Sequence, residues 1–463
     1  MGAKGSASAL QDQLRLGLSG FRVWYHARVL VQLVFFSLLA APPVRAATIA
    51  ASEISTRTAA ADLSVDEASP GMIFAAGAPI RLDFRLTPLT GIAAEARLGL
   101  TLENARGRAL AAYDWSRPRY APGRTLDFKL RPVLRPGVYR ADAQAEIGGR
   151  SAAELRFGFV VAPKSLRAKP DPPADFAAFW RRTERELAKV PLNPELEKTP
   201  AVSDARAECF HASYSSWGGT RVHAWYCRPK APGRYPAVLI SPWYGQGQIP
   251  PPIDWADQGV AALWYQGRGY GVDQSSYPVD NGYYSLLGIA SPRTYVYRAM
   301  VCHGLRGLEF LRERPEVDAA RLGVAGASQG GGLSLILAGL DPGVGAVAAN
   351  FPFLSDIRDS LRSAARSPYM DIAGYLRGRP AAKAAALKTL SYFDVLNFAG
   401  RVRVPVFVET GLMDRTCPAD GIIAMFNALA SREKSLRAFP AADHVHEDAP
   451  RWSAMQSFLV KRL

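Results

Sequence analysis

The chain has 463 residues, 48% of them hydrophobic and 21% charged, with a formal net charge of +15 at pH 7. That length exceeds what one core comfortably holds, so two folded domains are expected. The composition excludes a disordered chain, and no Lys/Arg cluster interleaved with aromatics argues for nucleic acid as a partner.

The first element is apolar. Val29 to Ala41 reads VLVQLVFFSLLAA, with Arg15, Arg22 and Arg28 before it and Val44-Arg45-Ala46 after it. A basic lead, a short apolar run and a small-residue cleavage site describe a secretory signal peptide over residues 1–46. The run is shorter than the roughly 20 residues of a membrane span. Export to the periplasm or beyond is expected, with no stable membrane insertion after cleavage. Residues 1–46 carry Lys4, Arg15, Arg22, Arg28 and Arg45 against Asp12, which leaves about +11 on the rest.

Residues 47–162 show no helical period. AAGAPIRLDFRL, AEARLGLTLEN, RTLDFKL, GVYRADAQAEI and AELRFGFVV alternate like short strands between Gly, Pro and Asn turn signals. About seven strands at this spacing predict an immunoglobulin-like β-sandwich. A Pro- and Lys-containing linker is expected over 163–174. A helix then follows, with Phe176, Phe179, Trp180 and Leu187 on one face and Asp175 near its start.

Residues 175–463 switch to strand–helix alternation, beginning with a hairpin around Gly218-Gly219. Apolar strands are expected at 236–241, 260–265, 321–326, 345–351, 404–411 and 435–440, interleaved with helices. Such continuous apolar strands predict a mostly parallel sheet covered on both faces. Residues 352–400 break the alternation and predict a helical insertion. Cys209 and Cys227 lie equidistant from Gly218, so they could sit opposite each other in the hairpin at disulfide range. Cys302 and Cys417 read as free buried thiols. No CxxC or His/Cys cluster suggests a metal.

The chemistry centres on Gly326-Ala327-Ser328-Gln329-Gly330, which follows a buried strand and precedes GGLSLILAGL. A sharp strand–turn–helix bend raises the Ser328 hydroxyl above the sheet. A serine hydroxyl needs a base, and in the α/β-hydrolase fold that this elbow predicts the order is Ser, acid, His. Only His444 and His446 follow Ser328. His444, in a short loop after the last strand, is the first choice, with His446 two residues on. Asp414 follows VPVFVETG and is the first choice for the acid, with Asp394 and Asp443 as rivals. The backbone N–H groups of Gln329 and Tyr244 are candidate oxyanion donors, Tyr244 lying in the loop after PAVLIS.

These residues carry a resemblance. Residues from about 172 to 463 resemble the acetyl xylan esterase / cephalosporin C deacetylase family. The likeness lies in PADFAAFW, the stretch from Arg293 through Tyr297 and Arg298, PEVDAARLGVAGASQGGGLSL, NFPFLSD, GLMDRTCPAD and FPAADH. It implies Ser328, Asp414 and His444 as triad, Tyr244 and Gln329 as oxyanion donors, and removal of acetyl groups from sugars. The chain departs from the family at Tyr270, where Gln is usual, and at Pro242, where a His is usual. Those departures bear on the ester and on the ring-like homo-oligomer typical of the family, which the sandwich would also obstruct. The resemblance does not reach residues 48–165.

Trp243, Tyr265, Tyr270, Tyr277, Tyr283 and Tyr284 crowd the same region. They read equally as sugar platforms or as packing. The leading expectation is a two-step acyl-transfer hydrolase acting on a small-molecule or oligosaccharide acetyl ester, with no metal or organic cofactor. Two alternatives share the pattern: a prolyl-oligopeptidase-like serine peptidase, and a non-catalytic envelope binding protein on a hydrolase scaffold.

Overall fold

Alternation of apolar and polar residues brings the first strands into two packed sheets. The computed structural model describes residues 54–66, 72–77, 79–89, 95–245, 249–267, 284–444 and 453–463. The expected signal peptide over 1–46, His446, Tyr270, Tyr277 and Tyr283 lie outside the described residues. Among the described residues the first nine strands are β1 (Ile54–Arg57), β2 (Ala61–Asp66), β3 (Ile73–Phe74), β4 (Leu82–Pro88), β5 (Ala96–Asn104), β6 (Ala109–Arg117), β7 (Leu126–Leu130), β8 (Gly137–Ile147) and β9 (Arg150–Val161). One sheet has the order β1-β2-β4-β7 and the other β3-β9-β8-β5-β6. Leu63, Val65, Phe84 and Leu86 of the first meet Leu98, Leu100, Ala141 and Phe157 of the second in one core.

More strands are present than the seven expected, and β6 shows why. It is the edge of its sheet, and its residues are exposed or half-buried. Only one of its faces is even half-buried, through Tyr113 and Trp115 against the sandwich core, so its apolar signal is weak.

The second sheet has two apolar faces. On β9, Phe159 and Val161 point into the sandwich, while Val160 between them joins the core of the following region. Val138 of β8 and Ala105 join that core too. The segment between the two regions is pinned as well: Asn427 Nδ2 donates to the carbonyls of Pro163 and Leu166 at 2.8 and 2.7 Å.

The second region begins with α1 (Phe176–Leu187). It buries Phe176, Phe179 and Trp180 at 4%, 1% and 1% exposure, each side chain contributing roughly 2–3 kcal/mol. Then follow β10 (Glu195–Lys198), β11 (Ala207–Ser215), β12 (Arg221–Pro229), β13 (Tyr235–Ser241), α2 (Ile253–Asp257), β14 (Ala261–Tyr265) and α3 (Val296–Arg312). The chain continues through β15 (Val317–Ala327), α4 (Gln329–Leu340), β16 (Val344–Asn350), α5 (Ile357–Ser363), α6 (Tyr369–Gly378) and α7 (Lys383–Ser391). It closes with β17 (Val406–Gly411), α8 (Ala419–Ala428), β18 (Lys434–Phe439) and α9 (Ser453–Arg462). The three helices α5 to α7 occupy the expected insertion.

The large sheet runs β10-β11-β12-β14-β13-β15-β16-β17-β18. Pairs from β10 to β14 along this order are antiparallel, and all pairs from β14 to β18 are parallel. Ala237 and Leu239 of β13 face one core, with α3, α4 and α8; Val238 and Ile240 face the other, with α2 and α9. Burial on both faces explains why β13 reads as an unbroken apolar run. The chain leaves β13 for β14 on one side and returns as β15 on the other. That reversal opens a crevice at the carboxyl ends of β13 and β15, where ligands of open α/β sheets bind.

Among the described residues no helix is long and apolar enough to cross a membrane.

Candidate active site

Ser328 sits at the crevice, between the end of β15 and the first turn of α4. Its backbone has φ 55° and ψ −120°, a region that non-glycine residues rarely occupy. Such strain persists only where neighbours over-determine it. Here Ser328 N donates to Asn350 O at 2.8 Å, and Ser328 O accepts from Gly332 N at 3.1 Å and Phe353 N at 2.9 Å. The bend also demands glycine on both sides. A Cβ on Gly326 would lie 2.3 Å from the Gly330 carbonyl carbon, and one on Gly330 would lie 2.3 Å from Ser241 O. The result is a serine whose hydroxyl is presented at the sheet's carboxyl end rather than lost in the core.

His444 arrives from the turn after β18. Its Nε2 is 3.0 Å from Ser328 Oγ, and its Nδ1 is 2.8 Å from Asp414 Oδ2. The ring rests beside Phe351, with centroids 5.6 Å apart. Asp414 lies in the loop after β17 and is fully buried. Its second oxygen, Oδ1, accepts from Thr416 N at 2.7 Å and Cys417 N at 2.8 Å. Those two bonds fix the carboxylate's rotation and leave Oδ2 for the imidazole. The chain of contacts suits a proton relay: Asp414 selects the tautomer with hydrogen on Nδ1, so Nε2 accepts from the serine.

The rivals stand elsewhere. Asp394 accepts from Leu396 N and Ile357 N at 2.9 and 2.7 Å, which ties the start of the insertion to its end. Burial pushes its pKa up to about 7, opposed by those backbone bonds. Asp443 accepts from His444 N at 2.7 Å and pairs with Arg366 at 2.8 Å, without touching the imidazole.

The side chain of Gln329 holds the corner where the candidate oxyanion donors meet. Its Nε2 donates to Pro242 O at 3.2 Å, in the loop that carries Tyr244. Its Oε1 accepts from the hydroxyls of Tyr284 at 2.8 Å and Tyr297 at 2.7 Å. Burial holds the Tyr297 phenol well above its ordinary pKa, so it stays a donor. The Tyr284 ring in turn stacks on Tyr244, with centroids 4.4 Å apart. Sequence reasoning singled out the Gln329 N–H and missed this side-chain clamp. Only spatial proximity joins Pro242, Tyr284, Tyr297 and Gln329.

The aromatic cluster is mostly packing where it is described. Tyr265 and Tyr284 are buried, at 0% and 2% exposure, and Trp243 packs edge-on against Trp264. Cys417 lies beside the site. Burial raises its thiol pKa well above the ordinary value, with the Asp414 carboxylate adding to the shift. It therefore stays a neutral thiol. Cys302 is buried and free as well.

Away from the site, Cys209 of β11 faces Cys227 of β12 in register, and a disulfide joins them. Among the described residues no group of three or more His, Cys, Asp or Glu side chains could hold a metal ion.

Comparison with known proteins gives the same region a lineage. The acetyl xylan esterase (AXE1) family model matches residues 163–462. The acetyl esterase Axe7A of Xylanibacter ruminicola is 27% identical over 317 residues, which cover 66% of this chain and 70% of that protein. The acetyl xylan esterase structure from Paenibacillus sp. R4 is 30% identical, covers 65% of this chain and 98% of its own, and superposes with a TM-score of 0.60. Acetyl xylan esterase 1 from Thermoanaerobacterium sp. JW/SL YS485 gives 28%, 65%, 97% and 0.58 for the same quantities. With the α/β-hydrolase sheet, the strained serine and a family match over most of its length, this chain belongs to the acetyl xylan esterase family.

Proposed function

We propose that the protein is an exported serine esterase that removes acetyl groups from acetylated carbohydrates. One observation carries the reading: Ser328 Oγ, the His444 imidazole and the Asp414 carboxylate form a continuous line of contacts at 3.0 and 2.8 Å. Ser328 attacks the ester carbonyl while His444 Nε2 takes its proton. The tetrahedral oxyanion is met by the backbone N–H groups of Gln329 and Tyr244 and by the positive end of α4. His444 then protonates the departing sugar oxygen, which leaves an acetyl-serine. Water, deprotonated by the same imidazole, releases acetate.

The acetyl group and the sugar come from family membership. Export rests on the basic lead and apolar run within 1–46 and on the Cys209–Cys227 disulfide, which persists in oxidising compartments. In this reading residues 47–162 are the sandwich, 163–174 a linker and 175–463 the esterase.

The test is an acetate-release screen over acetylated xylo-oligosaccharides, other acetylated glycans and an acetylated antibiotic, with short peptide amides as a control. Native protein should release acetate and leave the amides intact, and Ser328→Ala should lose at least about a thousandfold in turnover. A Ser328→Ala variant that keeps most of its turnover would end the nucleophile assignment. Amide cleavage without acetate release would move the protein to the peptidases.

A further inference from the structure

We propose that the sandwich is part of the catalytic apparatus, with its buried Arg140 as the residue that positions the loop carrying Asp414. Arg140 lies on β8, before residue 163 where the family match begins. Its guanidinium is buried, at 3% exposure, and spans the two regions. Nη1 donates to Ala105 O of the sandwich at 3.1 Å, and Nη2 donates to the backbone carbonyl of Asp414 at 3.1 Å. The inference rests on the triad reading above, since Arg140 acts only through Asp414.

Neighbouring contacts point the same way. Arg415, next to Asp414, pairs with Glu103 of β5 at 2.8 Å. Gly158 N of β9 donates to Pro440 O, in the loop that delivers His444, at 2.7 Å. Gly158 also presses on Leu412 so closely that a Cβ there would lie 2.4 Å from the Leu412 Cβ. The acid loop and the His loop are in turn joined by Met413 N donating to Ala442 O at 3.0 Å. Three sandwich strands thus touch the two loops that bring the acid and the base to Ser328.

Energetics distinguish positioning from plain packing. Burial disfavours the charged guanidinium and draws its pKa down, and nearby Arg415 adds to the effect. Asp420, Glu103 and Asp414 offset part of this. A methionine would fill the same space without the desolvation cost. What arginine adds is two directed bonds, one of them fixing the peptide of the catalytic acid. Triad geometry rewards such fixing, because a displacement of about 1 Å can cost a hundredfold in rate.

The experiment compares full-length native protein, Arg140→Met, Arg140→Lys, Arg97→Ala and Ser328→Ala. Arg97 pairs with Asp114 on the outer surface of the sandwich and serves as the control. Steady-state kcat and KM are measured on 4-nitrophenyl acetate, together with the rate of Ser328 labelling by a fluorophosphonate. Folding is checked by near-ultraviolet circular dichroism. Arg140→Met should lower kcat and the labelling rate by about ten- to a hundredfold with KM little changed. Arg140→Lys should recover part of that loss, because an ammonium reaches one of the two carbonyls, and Arg97→Ala should match native protein. A folded Arg140→Met with native kcat overturns the proposal. If Arg140→Met does not fold, Arg140→Lys decides: reduced kcat at unchanged KM supports positioning, and native kcat overturns it. Ser328→Ala separates the two ideas. A dead Ser328→Ala beside a fully active Arg140→Met sinks the Arg140 role alone, whereas an active Ser328→Ala sinks the triad itself.

Discussion

Asp414→Asn preserves the volume of the acid but removes its charge and the acceptor that Oδ2 offers to His444 Nδ1. The structure dictates which way the new amide turns. Oδ1 of Asp414 accepts from Thr416 N and Cys417 N at 2.7 and 2.8 Å, and the residue is fully buried. If the asparagine oxygen stays there, its NH₂ faces His444 Nδ1. If it flips, the NH₂ meets two backbone N–H groups that lose their acceptor in a buried site, at a cost of roughly 1–3 kcal/mol for each unmet group. The first orientation therefore wins. It forces the imidazole to carry hydrogen on Nε2, the nitrogen that must accept the Ser328 proton. The expected loss is about 10⁴ in kcat, or roughly 5 kcal/mol of transition-state stabilisation, with the fold intact. Acetate release under saturating substrate gives kcat, and thermal unfolding checks the fold. A folded variant that keeps more than about a tenth of native kcat would refute the tautomer argument.

Two further outcomes follow from groups outside the triad. The Cys209→Ser, Cys227→Ser double variant releases a cross-link between residues 18 apart and should lose about 3 kcal/mol in urea unfolding, with kcat unchanged; an unaltered midpoint would show that the bridge adds nothing. Glu409 is held at a pKa of about 7 by burial, with Arg437 opposing, against an ordinary 4.5. The folded state therefore keeps a proton that the unfolded chain releases. Stability from this group is full below pH 4.5 and is lost as pH rises through about 7. Glu409→Gln should remove that slope, so the stability difference between variant and native protein should shift by on the order of 3 kcal/mol between those limits. A difference that stays flat with pH would contradict the buried-acid account.

Much of the large sheet was legible because its strands are buried on both faces. PAVLIS and VPVFVETG stand out as apolar runs, and the elbow around Ser328 must be glycine-rich wherever a strand turns that sharply into a helix. The hairpin register was legible too, since two cysteines equidistant from a glycine turn can only meet if the ladder is regular. Edge strands with little burial were not legible. β6 is half-buried on one face only and β10 is exposed throughout, so the apolar pattern each leaves is weak.

The sequence by itself determined the order of chemical groups along the chain: a serine at an elbow, an acid after one strand, a histidine after the next. It put Asp414 ahead of Asp394 and Asp443 as the acid, on its position after a strand alone. Tertiary structure decided which carboxylate meets the imidazole, because Asp394 spends both oxygens on backbone N–H groups and Asp443 turns to Arg366. It also decided that the sandwich reaches the acid loop through Arg140, 274 residues from its partner. Local periodicity records only which face of an element is buried. It carries nothing about which distant element does the burying, so contacts that join remote parts of the chain exist only once the chain has folded.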